Sequence, residues 1–145
     1  MSWLPKQKVI VPTDFSQESF RALDVALELS TGPEAIHVLH VLPILEPAAP
    51  GVLWTTIDEP ARQRHAEEAL RKRLQEPRYQ GVQVVVRFGD PGREITDYAE
   101  EIRAELIVMP SHGATGLKRL LIGSVAERTV RLASCAVLVL RGEQE

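Results

Sequence analysis

The chain has 145 residues, enough for one domain whose core takes about 68 to 70 percent of the unfolded surface out of water. Its 17 basic and 20 acidic side chains give a formal net charge of -3, no electrostatic basis for nucleic acid or an anionic membrane as partner. Cys135 is the single cysteine, which excludes an intrachain disulfide and suits a reducing compartment.

Val9, Ile10 and Val11 form a short apolar run that stops at Pro12, and Thr13, Asp14, Phe15 and Ser16 lead into a helical pattern. This reads as a buried strand feeding a helix. Ser16 is the expected N-cap, with Glu18 in the first turn. Phe20, Leu23 and Leu27 recur at helical spacing, Ala22, Val25, Ala26 and Leu29 widen the stripe, and Gly32-Pro33 ends it. Asp14 falls at the carboxyl end of the strand, where open α/β sheets place ligands; an acidic residue at a helix start is an equal alternative.

The run AIHVLHVL, residues 35 to 42, is the second strand. Its side-chain period of two puts His37 and His40 on opposite faces, so they cannot jointly hold a metal. Residues 43 to 60 carry four prolines and read as a long surface loop. A second helix is expected from Ala61 to Glu76, with Ala66, Ala69, Leu70, Arg73 and Leu74 along one face, ended by Pro77.

Val82 to Phe88 is rich in β-branched residues and reads as a third strand. Asp90 then caps a helix with Pro91 at its first position and Ile95, Tyr98, Ala99 and Ile102 on its apolar face. The fourth strand is Leu106 to Met109. It enters a loop containing Gly113 and Gly116, and the chain turns helical from Ser124 to Ala133 before a fifth strand, Ala136 to Leu140. Strands alternating with helices argue for one α/β domain, a parallel sheet covered on both faces. Glycines admit a close approach to the backbone, and free amides at a helix start attract anions, so phosphate is the natural guest of the Gly113 to Ser124 segment. The alternative is a tight connection in which Ser124 and Glu127 form an S-x-x-E capping box.

Several chemistries are missing. The Walker pattern fails because Arg119 stands where its hydroxyl residue should be, and G-x-G-x-x-G is absent. Histidines at 37, 40, 65 and 112 are scattered, so no structural metal is expected. Ser111-His112 suggests a nucleophile and base, but neighbours in sequence rarely aim at one substrate and no orienting third group can be named. No catalytic residue is assigned. Lys118 and Arg119 face phosphates or sit at a solvated loop tip. The longest apolar runs are far short of the roughly 20 residues that span a bilayer. The opening MSWLPKQK lacks a signal peptide's apolar core, so a cytoplasmic protein is expected.

From Val9 to Arg141 the chain resembles the universal stress protein family. VIVPTDFS resembles the family's first strand and its aspartate, HVLHV the second strand, GDPGREI the turn into the third helix, and LIVMPSHGATGLKRLLIGSVAERTV the signature around the fourth strand. The resemblance implies a Rossmann-like, adenine nucleotide alpha hydrolase-like sheet of five parallel strands in order 3-2-1-4-5. In the nucleotide-binding branch the pattern G-x2-G-x9-G-[ST] cradles phosphates. Gly113 and Gly123-Ser124 match it, while Pro110 occupies the first glycine's place and supplies no N–H. By the same resemblance Asp14 holds the ribose hydroxyls, Val41 meets adenine through its backbone, and Pro12, Thr13, Met109 and Val125 line the pocket. The ligand implied is ATP, AMP or ADP, with or without Mg2+, and the assembly is a homodimer through the last strand, Ala136 to Leu140. Three functions follow: a nucleotide-binding regulatory or stress-response module with little or no hydrolysis, a dimeric interaction protein without nucleotide, or a slow ATPase.

Overall fold

A computed structural model describes residues 2–45, 59–112 and 122–142. Five strands, β1 (Val9–Pro12), β2 (Ile36–Leu42), β3 (Gln83–Phe88), β4 (Leu106–Pro110) and β5 (Ala136–Leu140), form one sheet in the order β3-β2-β1-β4-β5. Every pairing is parallel. The helices are α1 (Gln17–Leu29), α2 (Glu59–Arg73), α3 (Pro91–Ile102) and α4 (Ser124–Leu132).

Strand residues alternate between two apolar clusters, as a period of two requires when both faces are covered. Val9, Val11, Ile36, Val38, Leu106 and Val108 pack with Ala22, Leu23 and Ala26 of α1 and Leu70 of α2. Ile10, Leu39, Ile107 and Met109 pack with Ile95 and Ala99 of α3 and Ala126 of α4. Side chains as enclosed as Ile10 and Leu23 each contribute about 1.5–3 kcal/mol of burial. His37 and His40 do point to opposite faces: the first meets Tyr98 of α3 at 2.7 Å, the second stands edge-on to Phe15 ahead of α1.

Both ends of α2 differ from the sequence expectation by more than the one-residue shifts seen at strand ends. Glu59 and Pro60 are already helical, where a loop through residue 60 was expected. At the other end α2 stops at Arg73 rather than Glu76, because Glu76 precedes Pro77 and adopts an extended conformation with ψ 146°. Ala69 and Arg73, expected on the core face, are exposed; Ala66 and Leu70 are buried, and Leu74, four residues beyond Leu70, is half-buried against the same cluster.

The register determines where the sheet opens. β1 pairs with β2 over four residues but with β4 only at Val9↔Leu106 and Ile10↔Ile107, so the two central strands part towards their carboxyl ends. Their helices leave to opposite faces from there, which makes a crevice at the switch point of the strand order.

Candidate functional site

The crevice holds a cavity of about 300 Å3. β1 brings Pro12, Thr13 and Asp14 to it, and β2 brings Val41. β4 contributes Met109 and Pro110, and the start of α4 contributes Gly123, Ser124 and Val125. Every described residue singled out from the sequence as a site residue is therefore on its wall. Gly113, and with it Gly116, Lys118 and Arg119, lies outside the described residues.

The β1 wall has the polarity of an acceptor. Ser19 Oγ–H donates to Ser16 O at 2.7 Å, so the 2.7 Å contact between Thr13 and Ser19 must carry the Thr13 proton. Thr13 Oγ1 also accepts the Phe15 N–H at 3.1 Å. The Ser16 N–H, 3.0 Å from Asp14 Oδ1, ties that carboxylate into a local turn. His40 Nδ1 lies 2.8 Å from Thr13 O; a carbonyl can only accept, so Nδ1 bears a proton. What this wall brings to the cavity is the carboxylate of Asp14, with Thr13 and His40 beside it. Its turn passes through Phe15 at φ 67°, a left-handed conformation rare for a bulky residue, with the ring held 4.9 Å from that of His40.

The opposite wall has the polarity of a donor. The cap of α4 is Gly123 and not Ser124, and no side chain among the described residues caps the helix, so the S-x-x-E capping box does not form. Gly123 N–H goes to Ser111 O at 2.6 Å, and Glu127 N–H makes the first helical bond, to Gly123 O. The amides of Ser124, Val125 and Ala126 precede that bond and have no partner within the helix. By contrast, Ser16 caps α1 by accepting from Ser19 N–H, and Asp90 caps α3 by accepting from Arg93 N–H.

Between the walls lies an apolar floor of Leu39, Ile95, Met109 and Ala126. Pro110 closes β4, and its missing N–H deprives the sheet of nothing. Consecutive amides along a strand point to opposite neighbours; Ser111 N–H goes to Leu140 O of β5 at 2.7 Å, so position 110 faces the crevice where β1 has already parted.

Reading the sequence did not place His40, Pro91, Ile95 or Ala126 at the site, nor Ser111 and His112 as part of it. Pro91 had a legible signal: in a parallel sheet every helix begins at the carboxyl ends of the strands, so the start of α3 had to lie near the crevice. Leu39, Ile95 and Ala126 are indistinguishable in sequence from any other core residue. Among the described residues no group of three or more His, Cys, Asp or Glu side chains could hold a metal ion.

A model of the universal stress protein family matches residues 6–141. Universal stress protein MJ0531 of Methanocaldococcus jannaschii is 38% identical over 141 residues, covering 93% of this chain and 82% of that protein. The structure of protein MJ0577 from the same organism superposes with a TM-score of 0.74 at 28% identity, over 98% of this chain and 100% of the other. A family protein from Arabidopsis thaliana, At3g01520, solved with AMP bound, gives a TM-score of 0.61 over 94% of this chain and 92% of that one. At 22% identity that last likeness is one of fold.

Proposed function

Because the chain belongs to the universal stress protein family, we propose that its crevice binds an adenine nucleotide and that the protein is a regulatory, stress-response module with little or no hydrolysis. The observation that carries this reading is the split polarity of the cavity. A nucleotide has hydroxyl donors on its sugar and an anion at its phosphate end. Acceptors on Asp14 suit the first, and the uncapped amides of Ser124 and Val125 suit the second. The base then lies on the apolar floor, against the Val41 backbone. The AMP held by the Arabidopsis protein supports a nucleotide in this fold.

In this reading ATP, ADP or AMP is held by Pro12, Thr13, Asp14, Val41, Met109, Gly123, Ser124 and Val125, with Gly113 completing the phosphate cradle. Pro110 weakens the site without closing it. It removes at most one neutral hydrogen bond, about 0.5–1.5 kcal/mol, or roughly two- to twelvefold in affinity. Mg2+, where present, rides on the phosphates, since the described residues offer it no carboxylate cage. The geometry of Ser111 and His112 supports slow turnover: they hydrogen-bond each other at 3.2 Å through Nδ1, and no described group orients the ring from Nε2 as a nucleophile-base pair needs.

A second copy of the chain would pair along β5, an edge strand with only β4 beside it. Light scattering at micromolar concentration should give a dimer mass, and a monomer mass would overturn that arrangement. The nucleotide is tested by calorimetry with ATP, ADP and AMP on the parent and on Pro110→Gly. Binding by the parent, equal or tighter in the variant, is the expected result. A silent parent rescued by the variant would show that Pro110 switches the site off and that the protein acts as an interaction module without nucleotide.

A further inference from the structure

We infer that His40 is a positioning residue: from β2 it grips the residues on either side of Asp14, and by fixing that carboxylate it makes the crevice prefer ligands with ribose hydroxyls over sugars that lack them. The inference rests on the nucleotide reading above and gives a role to a residue that the family resemblance leaves without one. His40 lines the cavity beside Thr13 and Asp14.

The grip has two halves. Nδ1–H of His40 donates to the Thr13 carbonyl at 2.8 Å, and the imidazole stands edge-on to the Phe15 ring, with centroids 4.9 Å apart and planes at 76°. Thr13 and Phe15 are the residues before and after Asp14, so one side chain holds both sides of it. The register explains why the hold comes from β2. β1 pairs with β4 only at Val9 and Ile10, so β4 has already parted from the chain where Asp14 leaves the sheet. On the β2 side Thr13 N–H still reaches Leu39 O at 2.9 Å, and the next residue, His40, continues the pairing with its side chain. The turn depends on such a hold. Phe15 sits at φ 67°, a conformation that a bulky residue keeps only where its surroundings impose it. Asp14 is exposed and accepts the Ser16 N–H within the same turn at 3.0 Å, so a turn that loosens takes the carboxylate with it. A carboxylate held in one direction before the ligand arrives binds a sugar hydroxyl without the cost of ordering it.

The test is calorimetry with AMP and 2′,3′-dideoxy-AMP on the full chain and its variants. His40→Phe keeps a ring against Phe15 and removes the donor, while His40→Asn returns an amide N–H near the place of Nδ1. His40→Phe should weaken AMP by about three- to tenfold, within the range of one neutral hydrogen bond, and leave the dideoxy ligand within about twofold. His40→Asn should recover most of the loss. With Asp14→Ala already in place, His40→Phe should change AMP affinity by less than about twofold, because its effect passes through Asp14. Equal weakening of both ligands, or the same loss with and without Asp14, would give His40 a merely structural role and overturn the inference, as would unchanged affinity for AMP. Should His40→Phe not fold, Phe15→Leu, which withdraws the ring that His40 rests on, decides with the same two ligands: a loss confined to AMP is expected, and an equal loss refutes the grip. A parent that binds neither ligand overturns the nucleotide reading and this inference together; a parent that binds AMP while His40→Phe is indifferent overturns this inference alone.

Discussion

The β1–α1 and β4–α4 junctions are both strand-turn-helix connections at the carboxyl ends of neighbouring strands, yet they handle the helix start in opposite ways. At β1–α1 the chain satisfies itself. Ser16 caps α1, Ser19 and Thr13 extend the hydroxyl chain, and Asp14 accepts a backbone amide in its own turn. At β4–α4 Gly123 brings no side chain, and the amides behind it are left for something outside the helix. A helix start closed by its own residues contributes stability. One left open forgoes that contribution, of order 1 kcal/mol for a good cap, and gains an anion site.

The largest expected effect comes from filling the open junction. Gly123 is buried beside Ser111, and Gly123→Val puts a branched side chain where an anion must approach. AMP binding by calorimetry should fall more than a hundredfold while the melting transition stays cooperative; retained binding would place the phosphate elsewhere. The other wall is probed next by Asp14→Ala, which should weaken AMP and adenosine by the same factor, about tenfold to a hundredfold, since the sugar is common to both. A loss confined to AMP would put Asp14 at the phosphate end and reverse the assignment of the walls.

Stability distinguishes the same two junctions without any ligand. Ser16→Ala should cost about 1 kcal/mol and lower Tm by roughly 2–4 °C, whereas Ser124→Ala, whose side chain caps nothing, should stay within about 0.5 kcal/mol. Equal losses in thermal melts would mean that Ser124 caps α4 in solution.

The smallest effect lies away from both junctions. Burial, and then the charge of Lys8, hold the pKa of His37 below its ordinary 6.5. The unfolded chain therefore takes up a proton there before the folded one does. His37 contributes stability above pH 6.5 that is lost as pH falls through the folded-state value. Denaturant titrations from pH 7 downward should show this decline, and His37→Phe should flatten it; a variant with the parent's slope would assign the dependence to other groups.

How much of this was legible in the residues differs from place to place. Val9 to Val11, Ile36 to Leu42 and Leu106 to Met109 are apolar runs of strand length, and the helical spacing of Phe20, Leu23 and Leu27 could serve no other element. The alternation of strands and helices followed, and so did a parallel sheet. Ser16 and Asp90 were readable as caps because a side-chain acceptor before a helical stripe is a local device. Ser124 resembled them and is not one. In sequence Gly123-Ser124 fits either assignment, and the choice was made by a long-range bond, Gly123 N–H to Ser111 O, which no local pattern encodes.

The site divides along the same line. The sequence by itself determined the element order, the two-faced burial and, through its resemblance to a family, the residues expected at the crevice. Those properties depend on side-chain periodicity, which is local, or on motif identity. Only the tertiary structure decided that β1 and β4 share just two register pairs before parting, that the Thr13 hydroxyl and His40 Nδ1 protons are spent inward, and that His112 Nε2 is left without a described partner. Each of these depends on which groups meet across the fold. Hydrogen-bond direction is decided by the partner that can only accept or only donate, and the partner is chosen by packing.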